Sequence, residues 1–248
     1  MKRGLNLKYE KISELGYVRE TNQDRVIAIE NDYGFLGVVC DGIGGGRAGD
    51  VASELVVSIF EEAFLSNPKF EDDADMIAWF EKTLAKANLA VFNKSMKSKA
   101  FHGMGTTIVA VLIYGERALG FNVGDSRLYE LRHGNLNLLS HDQTYAYQMY
   151  LQNEITKEEI AHHPRRNVLI NAVGIKDEIN FETIRVVDGW QNLMLSTDGL
   201  HDFVDHGFLE QAFNLPLDKA AELLKSLAVK AGGYDNISFV LIEGNRHE

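Results

Sequence analysis

The sequence predicts a layered α+β sandwich, and three observations predict it. Runs rich in β-branched and aromatic residues come in groups joined by short Gly-containing turns, which favours antiparallel pairing. Long stretches with apolar residues at helical spacing lie between those groups instead of alternating with single strands, as a doubly wound parallel sheet would require. No Gly/Ser-rich or charge-block linker divides the 248 residues, and the only prolines are Pro68, Pro164 and Pro216. A single domain over residues 1–248 is therefore expected.

In chain order, strands are expected over residues 26–29 and 35–40, both dominated by Val, Ile and other apolar side chains. Two helices follow over 48–65 and 76–96, where apolar residues recur every three to four positions. Residues 106–114, 118–123 and 127–131 are the next strands, the first two separated by a turn at Gly115. Strands at 181–187 and 193–196, a helix at 217–231 and a strand at 237–242 complete the series. Residues 145–171 stand apart as a polar insert over one edge. Within it, Thr156 followed by Glu159 is a capping-box pattern that should start a short helix.

Composition narrows the function. With 45% apolar and 25% charged residues the chain is neither disordered nor fibrous. Its one cysteine, Cys40, rules out intramolecular disulfides and Cys-rich zinc sites, and its place at the end of an apolar run reads as a buried thiol. A formal charge of −11 opposes nucleic acid and anionic membranes as partners and favours a cationic partner or a bound cation. No apolar stretch reaches the ~20 residues of a membrane helix and no signal peptide follows Met1, so a complete, cytoplasmic protein is expected.

Four apolar runs meet a carboxylate at one end: 35–40 leads into Asp41-Gly42, 121–123 into Gly124-Asp125, 193–197 into Asp198-Gly199, and Asp235-Asn236 precedes 237–242. One Asp-Gly at a strand end is an ordinary turn, but four on neighbouring strands would converge and repel. A divalent cation resolves that conflict, and oxygen ligands without His or Cys suit Mg²⁺ or Mn²⁺ better than Zn²⁺ or Cu²⁺. Gly42 lets the backbone approach closely enough for its carbonyl to act as a further ligand. Gly44, Gly46 and Gly49 form a formal GxGxxG between strand and helix. Asp41 would repel a pyrophosphate there, and no acid-ended strand follows ~20 residues on, which opposes a dinucleotide site. Arg19, five residues before Asp24, could hold an anionic group bidentately beside the cations.

The set Arg19-x-x-Asn22-Gln23-Asp24, Cys40-Asp41-Gly42-x-Gly44-Gly45, Gly105-Thr106-Thr107, Asn122-Val123-Gly124-Asp125-Ser126-Arg127, Leu195-Ser196-Thr197-Asp198-Gly199 and Gly233-x-Asp235-Asn236 resembles the metal-dependent protein phosphatases of the protein phosphatase 2C type. Residues 154–168 further resemble the flap of compact bacterial members, which places the flap insert at about 145–171. The resemblance implies a four-layer αββα sandwich of two antiparallel sheets flanked by helix pairs. It implies two Mn²⁺ or Mg²⁺ ions and a possible third, with hydrolysis of phosphoserine and phosphothreonine by a metal-activated water. Carried over by motif position, Asp41 would bridge both ions, Asp198 and Asp235 complete the first, the Gly42 carbonyl bind the second, and Asp125 with Asp198 make the third. Arg19 would bind the substrate phosphate, Gln23 and Asp24 would position waters, and Asn236 would orient Asp235.

Two departures from the family pattern stand out. Many relatives carry a histidine at the position of Ile43 or Gly46, a candidate acid for the leaving alkoxide, and this chain has neither. A water on a metal, or a distant histidine such as His163 in the flap, is expected to take that role. His141, in Ser140-His141-Asp142-Gln143-Thr144 where relatives read closer to Asp-His-Ser, is expected to anchor its loop rather than bind metal. The alternative reading is a pseudophosphatase that binds phosphoproteins without hydrolysing them. A third is a stress-response phosphatase acting on one small partner, which the flap opposes. The implied partners are phosphorylated proteins, with a cognate Ser/Thr kinase, acting in bacterial signalling; a monomer is the default.

Overall fold

The computed structural model describes residues 7–45 and 48–244. The chain runs β1 (Lys8–Glu14), β2 (Arg25–Glu30), β3 (Gly34–Cys40), β4 (Gly42–Ile43), α1 (Ala48–Leu65) and α2 (Asp73–Lys97). After a 3-10 turn come β5 (Gly105–Thr106), β6 (Ile108–Tyr114), β7 (Arg117–Val123), β8 (Arg127–Arg132) and β9 (Asn135–Leu138). Two short helices, α3 (Tyr145–Leu151) and α4 (Lys157–Ile160), precede β10 (Glu182–Arg185) and β11 (Asn192–Ser196). Helices α5 (Asp198–His201), α6 (His206–Ala212) and α7 (Leu217–Lys230) lead into β12 (Ile237–Glu243).

One sheet has the order β10-β7-β6-β3-β2 and the other β1-β12-β11-β8-β9, with β4 and β5 forming a separate small ribbon. Every pairing is antiparallel. The central strands are buried on both faces, and their period of two divides their side chains between layers. Along β6, Ile108, Ala110 and Leu112 pack under α1 and α2, while Val109, Val111 and Ile113 enter the core between the sheets. Along β12, Phe239 and Leu241 pack under α7, while Val240 and Ile242 face the same central core. The result is the four-layer αββα sandwich.

Sequence and structure differ in instructive places. The helix pair over the second sheet is unequal, a full α7 beside the two-turn α6. The run 106–114 divides at Thr107, where the strand leaves β4 and joins β3. The strand expected over 181–187 is limited to Glu182–Arg185. Edge strands β1 and β9 carry exposed polar residues, Lys8, Lys11 and Ser13 on the first and Asn135 and Asn137 on the second, so neither shows an apolar run. The helix over 157–160 forms as expected, with the Thr156 N–H donating to the Glu159 carboxylate at 2.7 Å.

Candidate metallophosphatase site

The site forms where strand ends from both sheets meet. Asp41 leaves β3 and is fixed through its backbone: its N–H donates to Thr107 Oγ1 at 2.9 Å, and its carbonyl accepts from the Thr107 N–H at 2.9 Å and Thr106 Oγ1 at 2.8 Å. The backbone of Gly42 lies directly against α1. A Cβ there would sit 2.3 Å from the Gly49 carbonyl oxygen, so no side chain fits. On the other sheet, Asp198 opens α5 as β11 ends, and Asp235 stands two residues before β12. These two loops are in contact, since a Cβ on Gly199 would lie 1.9 Å from the Asn236 carbonyl oxygen.

Asp24 is buried just before β2 and accepts from Thr197 Oγ1 at 2.9 Å. Burial pushes its carboxyl up to about 8, opposed by hydrogen bonds from Ser238 and Thr197 and assisted by the charges of Asp198 and Asp235. Burial, followed by the charges of Asp24, Asp198, Asp125 and Asp235, holds Asp41 well above the usual carboxylate range. Asp125 is raised to about 7 and Asp198 to about 6, each by burial first and neighbouring carboxylates second. The expected carboxylates therefore do share one field. Asp198 Oδ1 is buried without a hydrogen-bond partner, an uncommon state for a carboxylate oxygen.

Two further side chains tie the loops together. Arg19 donates to Asp235 Oδ2 at 2.7 Å across 216 positions of sequence. Asn236 Oδ1 accepts the Gln23 N–H at 2.9 Å, and its amide donates to the carbonyls of Leu15 at 2.9 Å and Thr21 at 3.2 Å. The Asn236 N–H in turn donates to Asp235 Oδ1 at 2.9 Å, so Asn236 orients Asp235 through its backbone. Among the described residues no three His, Cys, Asp or Glu side chains stand close enough together to hold a metal ion by themselves. The arrangement is an open ring of carboxylates with Arg19 on one member. Its all-oxygen donors, mutual repulsion and orphaned Asp198 oxygen fit a hard divalent cation.

A match to the protein phosphatase 2C family covers residues 17–227, which takes in Arg19, Asp24, Asp41, Asp125 and Asp198. The chain belongs to that family. It is 32% identical over 235 residues to the serine/threonine phosphatase stp of Listeria monocytogenes, covering 93% of each chain. The fold matches Stp1 from Staphylococcus aureus with a TM-score of 0.90 at 26% identity, over 98% of this chain and 97% of that one. It matches the catalytic domain of PstP in complex with two manganese ions with a TM-score of 0.82 at 29% identity, over 96% and 97% of the two chains. Family membership makes the chain a protein serine/threonine phosphatase, with phosphoproteins as substrates.

A cavity of about 1040 Å³ is lined by Asp125, Asp198 and Asp235 on the sandwich and by Lys157, His162 and Arg166 from the 145–171 segment, while Arg19, Asp24 and Asp41 are not part of its lining. Sequence reading assigned no role to several residues that shape it. Gln143 accepts the Gly124 N–H at 3.1 Å and the Asn171 amide at 2.8 Å on one oxygen, joining the Asp125 loop to the exit of the 145–171 segment. Arg127 clamps Asp142 through two bonds of 2.9 and 2.6 Å in the cavity wall. Thr197, part of a quoted motif, is the donor that fixes Asp24. Such partners, distant in sequence, carry no local signal.

His141 is a loop anchor, its Nδ1 bonded to Glu182 Oε1 and its N–H donating to Glu182 Oε2 at 3.0 Å. His163, one of the two candidates for the acid, accepts the Arg165 N–H at 3.1 Å on Nδ1, and the segment's histidine that lines the cavity is His162. Cys40 is buried, and burial pushes its thiol up, as its position in the apolar run implies. Gly46 of the Gly-rich loop lies outside the described residues.

Proposed function

We propose that the chain hydrolyses phosphoserine and phosphothreonine in proteins at a binuclear Mn²⁺ or Mg²⁺ centre. Asp41 would lie between the two ions, Asp198 and Asp235 would complete one, and the Gly42 carbonyl would bind the other. Asp125 with Asp198 would hold a third. When bound, such ions supply a nucleophilic water near neutral pH and neutralise charge on the phosphoryl group. The single observation that carries this reading is the buried, unpartnered Asp198 Oδ1 among carboxylates whose charges, after burial, push Asp41 and Asp198 above the usual range.

The protein's own groups supply positioning. Arg19 donates one N–H to Asp235, which aims the rest of its planar fork at the substrate phosphate. Asp24, held by Thr197, offers a fixed acceptor to a water beside the ring, and Gln23 is set by Asn236 through its backbone. Residues 1–248 act as one phosphatase domain, and residues 145–171 act as a flap whose Lys157, His162 and Arg166 face the acidic floor. No described helix is long and apolar enough to cross a membrane. We place the protein in the cytoplasm as a monomer that opposes a Ser/Thr kinase. Replacing Asp198 with Asn tests the assignment. Turnover of a phosphothreonine peptide should fall by about 10²–10³-fold with the fold intact, by analogy with the loss of a group aimed at the transition state. Full activity in Asp198→Asn at saturating cation would defeat it.

A further inference from the structure

Beside Arg19 the surface carries a contiguous aromatic patch that the site chemistry does not use. Tyr17 is 76% exposed, Val18 59%, Tyr234 57% and Phe203 37%. The N–H groups of Tyr17 and Val18 both donate to the Gly233 carbonyl, at 2.8 and 3.3 Å, which fixes the 17–18 segment against the 233–234 loop. The Tyr234 ring lies 5.7 Å from that of Phe203, tilted by 37°. Phe203 in turn lines the same cavity as Asp198 and Asp235. Large side chains exposed together are uncommon on a soluble surface and mark contact sites. Here the patch is continuous with the wall of the substrate cavity, and its members flank the two residues that form the Arg19–Asp235 pair in sequence.

We infer that Phe203, Tyr234 and Tyr17 form a lip that receives an apolar side chain of the phosphoprotein substrate, next to the phosphorylated residue. The inference rests on the phosphatase reading. A phosphate held at Arg19 brings the substrate chain over the rim of the cavity, and this rim offers the neighbouring rings of Phe203 and Tyr234, with Tyr17 held against the 233–234 loop. An apolar residue placed there leaves water for a preformed surface. A charged or glycine residue gains nothing from it.

The test compares two phosphothreonine peptides that differ only in carrying Leu or Gly at the flanking positions, with a Gly-phosphothreonine-Gly tripeptide as the control. Wild-type protein should favour the Leu peptide about tenfold in kcat/KM, the size of effect one well-buried apolar group provides. In the double variant Phe203→Ala/Tyr234→Ala that preference should collapse toward unity through KM, the Leu peptide losing about tenfold more kcat/KM than the tripeptide does. Phe203→Leu alone should keep most of it. A preference that survives the double substitution, or no preference in the wild type, would overturn the lip. A wild-type dimer that the double variant dissociates, with peptide selectivity unmoved, would assign the patch to a second copy of the chain and equally overturn it. Absence of turnover on all three substrates with Mn²⁺ would instead overturn the phosphatase reading, and the lip with it.

Discussion

Asp24 offers a sharp test of the site's electrostatics. Its carboxyl rises from 3.8 to about 8 because it is buried beside other carboxylates, and hydrogen bonds from Ser238 and Thr197 only partly offset this. A pKa raised on folding contributes stability below the unfolded value, and that stability is lost as pH rises through the folded value. In metal-stripped protein Asp24 stays protonated when folded and ionised when unfolded between pH ~5 and ~7, so each pH unit costs about 1.4 kcal/mol. The loss over those two units is about 3 kcal/mol from this one group. Asp24→Asn removes the titration while keeping an oxygen for Thr197. Urea unfolding of both proteins at pH 5, 6 and 7 in chelator should therefore show a stability loss with rising pH that is about 3 kcal/mol smaller in the variant. Parallel pH profiles for the two proteins would refute the reasoning, because Asp24 would then be ionised in the folded state as in the unfolded one.

Two further outcomes are expected. Asn236→Ala strips one acceptor and two donors from a buried loop junction, a loss of about 3 kcal/mol. Thermal unfolding should show a Tm lower by roughly 6–12 °C, and a Tm within ~1 °C of wild type would contradict that role for Asn236. The formal charge of −11 should favour phosphopeptides with Lys or Arg near the phosphosite. Their advantage in kcat/KM should fade as ionic strength is raised, and an advantage independent of salt would sink the electrostatic explanation.

Legibility in the sequence followed the physics of each element. Strands β3, β6, β7, β11 and β12 were readable because both faces are buried and their runs are nearly all apolar. Their acidic ends were readable for the same reason, since Asp41, Asp125 and Asp198 each interrupt such a run. Edge strand β1, with Lys8, Glu10, Lys11 and Glu14, carries no comparable signal because none of its seven residues is fully buried. Helices α3, α5 and α6 are one to two turns long, too short for a period of 3.6 to emerge. The links that hold the site are the least readable of all. Arg19 to Asp235, Thr197 to Asp24 and Gln143 to Asn171 join residues that only the sandwich brings together.

The central claim is that the carboxylate ring serves phosphoester hydrolysis through divalent cations. The most direct measurement is phosphate release from a phosphothreonine peptide by metal-stripped protein, titrated first with Mn²⁺ and then with Mg²⁺. The account predicts no release in chelator and saturable release as either cation is added. Release that is equally fast in chelator, or none at any cation concentration from protein shown to be folded, would contradict it.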